Sequence, residues 1–87
     1  MHVIYKYPVS PRMKLTLPAD AAVLDVQVQH DTAQMWVLLD PEATTTTRHF
    51  AVFATGEPFP ETIHAGDYIA TFQTDGGLVW HVFETSE

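Results

Sequence analysis

The sequence predicts an all-β domain, an antiparallel sandwich or barrel of about seven strands. Three observations carry that expectation. Apolar residues recur with period two or fill short runs rich in Val, Ile, Thr and aromatics, which is the pattern of strands. Turn-forming Pro, Gly, Asp and Thr interrupt these runs about every ten residues. The 87 residues allow one domain, residues 1–87, and no second one.

The first strand is expected over His2–Tyr7. Pro8 and Pro11 bracket the turn that follows, because proline cannot donate to a ladder. The second strand, Met13–Leu17, alternates cleanly: Met13, Leu15 and Leu17 on one face, Lys14 and Thr16 on the other. In the third, Ala22–His30, Leu24, Val26 and Val28 share a face opposite Asp25, Gln27 and Gln29. His30-Asp31-Thr32 is a turn. The fourth strand, Gln34–Leu39, is apolar on both faces and reads as central.

Asp40-Pro41-Glu42 closes the fourth strand, and the threonine run Thr44–Thr47 leads into the fifth, which continues from Arg48 to Ala54. The longest connection follows, from Gly56 to Asp67, a candidate functional loop in which Pro60–His64 is the only place for a helical turn. The sixth and seventh strands, Tyr68–Gln73 and Leu78–Glu84, flank Thr74-Asp75-Gly76-Gly77, whose residues tolerate the positive φ of a hairpin. Thr85-Ser86-Glu87 is expected to fray.

Composition excludes several function classes. The net charge is −7, with only Lys6, Arg12, Lys14 and Arg48 as cations, so no basic stripe for general nucleic-acid binding exists. A small anion needs only one or two cations and backbone donors, and it stays open as a ligand. Without cysteine there is no disulfide and no thiolate metal site. The longest apolar run, Met35–Leu39, is far short of the ~20 residues of a membrane helix, and the N-terminus lacks the pattern of a signal peptide. The expected location is the cytoplasm.

A chain this short buries a modest share of its surface, and oligomerisation is one way to compensate. The fifth and seventh strands carry apolar residues on both faces. Phe50 and Val52 oppose His49, Ala51 and Phe53; Leu78, Trp80 and Val82 oppose Val79, His81 and Phe83. One sandwich has one interior, so the outer faces need cover. The reading favoured here is a homo-oligomer; the alternative is a bent barrel with loops folded over its outside.

Six residues stand out as ligand-binding candidates, each with a plainer reading beside it. Arg48, after the threonines and before Phe50, has the fork geometry for a phosphate or carboxylate; the plainer role is pairing with one of eleven acids. His49 and His81 sit mid-strand and suit ligand contact, or are half-buried histidines with satisfied hydrogen bonds. Gln27 and Gln29 extend the Asp25 ladder as amide readers of a base or ribose, or simply face water. Trp36 offers a stacking surface, although such aromatics are more often core. No nucleophile motif, phosphate loop or useful carboxylate pair is present, so no enzyme, no cofactor and no metal site is expected.

Several segments together resemble a family of short proteins encoded by bacteriophages and prophages. They are Val26-Gln27-Val28-Gln29, Trp36, Asp40-Pro41-Glu42, Arg48-His49-Phe50, Thr55-Gly56 with Pro58, and Thr71-Phe72-Gln73 through Gly77 to His81-Val82-Phe83-Glu84. The resemblance spans roughly residues 22 to 84, and its motifs are tied to no chemistry. A phage origin implies interference with host defence as one role. In that role, an oligomeric β-rich protein sequesters a small nucleotide-like immune signal between subunits, in the host cytoplasm. The alternatives are a module that inhibits or adapts a host protein, with the acidic surface and the Gly56–Asp67 loop carrying recognition, and a minor virion component.

Overall fold

The computed structural model describes residues 1–64 and 67–86. Ala65 and Gly66 of the long connection, and Glu87 of the expected frayed end, lie outside the described residues.

Seven antiparallel strands form two sheets: β1 (Val3–Pro8), β2 (Arg12–Pro18), β3 (Ala22–Gln29), β4 (Thr32–Leu39), β5 (Thr45–Ala54), β6 (Tyr68–Gln73) and β7 (Val79–Thr85). One sheet has the order β1-β4-β3 and the other β2-β5-β7-β6. Of the two expected architectures the sandwich is the one found. β6 comes close to β3, but no ladder joins them among the described residues, so the barrel is not closed. Among those residues no helix is long and apolar enough to cross a membrane.

Alternation along each strand supplies the core. β2 sends in Met13 and Leu17, β4 sends in Met35, Val37 and Leu39, and β5 and β7 add Phe50, Val52 and Val82. Leu17, Met35, Val37, Phe50 and Val82 are the most completely buried. Each such side chain contributes about 1.5–3 kcal/mol from removal of its surface from water. No polar or charged residue is buried among the described ones.

Short connections carry the chain between the sheets. The Val9 amide continues the β1 ladder by donating to Ala33 O at 2.9 Å, and Pro11 O accepts from Val52 N at 3.0 Å, so the chain changes sheet at Ser10. The change from β2 back to β3 is the turn Pro18–Ala21, closed by Ala21 N to Pro18 O at 3.1 Å. From β4 to β5, Asp40 Oδ1 caps the turn by accepting from Glu42 N at 3.0 Å. The β3–β4 hairpin has a two-residue loop, His30 and Asp31, with φ of 52° and 65°. Two consecutive left-handed residues match the twist of the strands, which is why tight hairpins use them.

Three details differ from the sequence expectation. A bulge shifts the β3 register between Val23 and Asp25, so Leu24 is 51% exposed instead of sharing the inner face with Val26. Leu78 lies before β7 and is also exposed. Pro60–Ile63 is a hydrogen-bonded turn rather than a helix.

The second apolar face of β5 and β7 is covered from within the chain. Ala51, Phe53 and Phe83 form a small outer cluster on the four-stranded sheet, with Ile63 of the β5–β6 connection packed on it. Phe59 of the same connection packs with its ring centroid 5.1 Å from that of Phe53, tilted, and 4.8 Å from that of Phe83, edge to face, the latter an arrangement that ring quadrupoles favour. Gly56 makes this return possible. Its φ of 89° suits the third position of the Ala54–Glu57 turn, which Glu57 N closes by donating to Ala54 O while the Glu57 side chain accepts from Ala54 N.

Candidate anion-binding site

The six sequence candidates fall in three separate places. Gln27 and Trp36 lie on the outer face of the three-stranded sheet, with Gln29 exposed at the end of the same strand. Lys6 Nζ donates to Gln29 Oε1 at 2.8 Å, and Gln27 Nε2 to Asp25 Oδ2 at 2.8 Å. His49 and His81 lie on the outer face of the four-stranded sheet, alternating with the inward Phe50 and Val82. Arg48 points inward at the end of the sandwich.

Arg48 is fully engaged. Its Nε and Nη2 donate to Glu84 Oε2 and Oε1, both at 2.8 Å, and Nη1 donates to Ala21 O at 2.7 Å and Pro18 O at 3.3 Å. Only 14% of its side chain is exposed. The fork expected to hold a ligand anion therefore holds Glu84, and it ties β5 and β7 to the β2–β3 turn. The hydrogen bonds that Arg48 donates to Glu84 raise the guanidinium pKa above its ordinary value, against the opposing effect of burial, so Arg48 stays charged wherever the fold exists.

His81 is also satisfied. Its Nε2 lies 2.8 Å from Thr55 Oγ1 and its Nδ1 3.0 Å from Thr71 Oγ1, which in turn lies 2.8 Å from Tyr68 OH. This row of hydrogen bonds ties the start of the long connection to β7 and β6. It is the plainer of the two readings of His81, in geometry if not in consequence.

The arrangement that sequence reading missed is a cleft of about 410 Å³ between the outer face of the four-stranded sheet and the returning connection. Arg12 and Lys14 of β2 and His49 of β5 supply its polar wall, with Pro60, Thr62 and Ile63 opposite. The ladder sets these groups side by side: Lys14 pairs with His49, and Arg12 with Ala51. The Arg12 guanidinium sits 4.9 Å over the Phe53 ring, a cation–π contact that fixes its position, while Nη1 donates to Pro11 O at 2.8 Å. Lys14 and His49 have no polar partner among the described residues. Among the described lining residues none is acidic.

Two of the four cations of a chain of net charge −7 thus share one cleft with a histidine. Its volume falls within the range of small-molecule pockets. The signal available in the sequence was the alternation Arg12, Lys14 on the outer face of β2 beside His49, but it needs the β2–β5 register to be seen. Another depression, about 260 Å³ around Pro11, Phe72 and Trp80, is mostly apolar, and among its described lining residues Asp31 alone is charged. Among the described residues no three metal-ligating side chains cluster.

No curated protein and no solved structure is significantly similar to this chain. A family model does match it over residues 1–87, and by that match the chain belongs to the family of the domain of unknown function DUF7352.

Proposed function

We propose that this protein is a non-enzymatic binding protein that holds a small, nucleotide-like anion in the cleft of Arg12, Lys14 and His49. The observation that supports this reading is the pairing of a lysine without a polar partner among the described residues and a ring-anchored arginine across from an apolar wall, in an otherwise acidic chain. Arg12 supplies donors in a fixed plane, Lys14 a mobile point charge, and His49 a third donor when protonated. Pro60 and Ile63 offer apolar contact to the uncharged part of a ligand. Sequestration of a nucleotide-like immune signal, as the resemblance to phage proteins implies, is the biological form this reading takes.

Amide chemical shifts on titration with adenosine monophosphate, and with pyrophosphate as the bare anion, test it. The expected result is movement confined to residues around Arg12, Lys14, His49 and Thr62, with Lys14→Glu weakening binding about tenfold or more. Shifts elsewhere, or full affinity in Lys14→Glu, would sink the assignment.

A second reading, a module that binds a host protein, is favoured by Phe59. It stays 42% exposed between the exposed acids Glu57 and Glu61 on the returning connection. An aromatic flanked by carboxylates suits a basic partner surface. In this reading Phe59→Ser removes a stoichiometric partner captured from host lysate, whereas Lys14→Glu does not.

A further inference from the structure

Among the described residues no connection packs on the outer face of the three-stranded sheet, unlike that of the four-stranded sheet. Its central strand presents Trp36 and Leu38, both half-buried, with Ile4 of β1 opposite Leu38 and 56% exposed. Leu24, thrown outward by the bulge, adds a further 51% exposed apolar side chain.

The charges on this face have a particular order. Lys6 of β1 and Asp25 of β3 are both register partners of Trp36, one on either side. In backbone register one row therefore reads Lys6, Trp36, Asp25 across the sheet, with the Lys6 ammonium donating to Gln29 and the Asp25 carboxylate accepting from Gln27, both at the exposed surface. A second copy can be laid face to face on this row by a twofold axis in two simple ways. An axis across the strands sets Lys6 over Lys6 and Asp25 over Asp25, which is repulsive. An axis parallel to β4 through Trp36 sets Lys6 of each copy over Asp25 of its partner, twice, with the two Trp36 rings meeting at the centre. The second arrangement is isologous and self-complementary, as closed dimers are. It also brings the two sheets together with near-parallel strands, the usual aligned packing.

We infer that this face is the self-association surface of the protein, closed by the twofold axis parallel to β4 and by paired Lys6–Asp25 contacts. The footprint is about 26 by 14 Å, from eight residues of β4 and three strands. A dimer closed on it buries on the order of 1,000 Å² in total, the low end for a specific interface. The association is therefore concentration-dependent. It lies on the sheet opposite the cleft of Arg12 and Lys14, so either proposal can fail without the other.

Sedimentation velocity from about 1 µM to about 1 mM reads the dimer directly. The expected result is a monomer–dimer equilibrium within that range. Lys6→Glu and Asp25→Lys each weaken it about tenfold or more, because each change sets like charges in both symmetric contacts. The double variant Lys6→Glu with Asp25→Lys restores the pairing and returns dissociation to near the original value. Circular dichroism confirms that each variant folds. A monomer throughout the range overturns the inference. So does a dimer indifferent to both single reversals, or a double variant no better than the singles.

Discussion

Replacing Arg48 by methionine separates the two roles that this residue has been given. The change keeps a long side chain but removes the charge and every donor. The lost bond to Ala21 O is the most consequential, since Ala21 is only 6% exposed and its carbonyl gains little from water. A hydrogen bond from a charged donor in such a place contributes about 1.5–3 kcal/mol. The bidentate pair with Glu84 adds less, on the order of 1 kcal/mol or under, because the carboxylate is 34% exposed and rehydrates when freed. The expected cost is about 2–3 kcal/mol, which for a domain of this size lowers the Tm by roughly 10–20 °C. Urea unfolding followed by circular dichroism measures it. Titration of the folded variant with adenosine monophosphate then reads binding, which stays within about twofold if the ligand sits at Arg12 and Lys14. A stability loss below about 0.5 kcal/mol would refute the reasoning about the fork. Loss of binding in a variant that remains folded would return Arg48 to the ligand site.

The hairpin at His30 and Asp31 offers a gain. Both residues hold left-handed φ, which costs side-chain-bearing residues but not glycine, so His30→Asn with Asp31→Gly is expected to stabilise the protein by about 1 kcal/mol in urea titrations. Tyr7 governs an alkaline limb. Burial first, and the neighbouring Tyr5 second, raise its pKa above 10, so the folded state keeps the phenolic proton after the unfolded chain has lost it. Its contribution is complete below pH 10 and is lost as pH rises through the folded value; Tyr7→Phe should flatten that fall in stability measured from pH 9 upward.

The strands were legible because their cause is local. Alternation in Met13–Leu17 states which side of that strand meets the core, the apolar stretch Gln34–Leu39 marks a central strand, and turn residues set the limits to within about two positions. The bulge at Leu24 was not legible, since Leu24, Val26 and Val28 continue an unbroken alternation in the sequence. It depends on how β3 must twist along β4. The cleft was hidden for a related reason. Arg12 and Lys14 become neighbours of His49 only through the β2–β5 register, and the apolar wall comes from Pro60 and Ile63, some fifty residues along the chain. Arg48 stood out because it is the only cation of the second half of the chain. Composition cannot distinguish a cation held for a ligand from one already used by Glu84 and two carbonyls.

The scarcity of cations makes their placement informative. Four are present, and the fold divides them among three settings: Arg48 inside, Lys6 on the outer face of one sheet, Arg12 and Lys14 together on the other. The connection that carries Phe59 and Ile63 across the four-stranded sheet does two things at once. It removes that sheet's need for a partner, and its far edge walls the cleft beside the paired cations. Had a second copy covered this face about an axis across the strands, Arg12 and Lys14 would meet their own images, a like-charge contact in an interface. The three-stranded sheet has the opposite character: its single cation and Asp25 flank Trp36 and become complementary on twofold closure. In the two proposals made above, charge is what separates the outer faces, one read as the seat of an anion and the other as that of a second copy. The apolar excess that suggested an oligomer from sequence is divided between an internal cover and an open face.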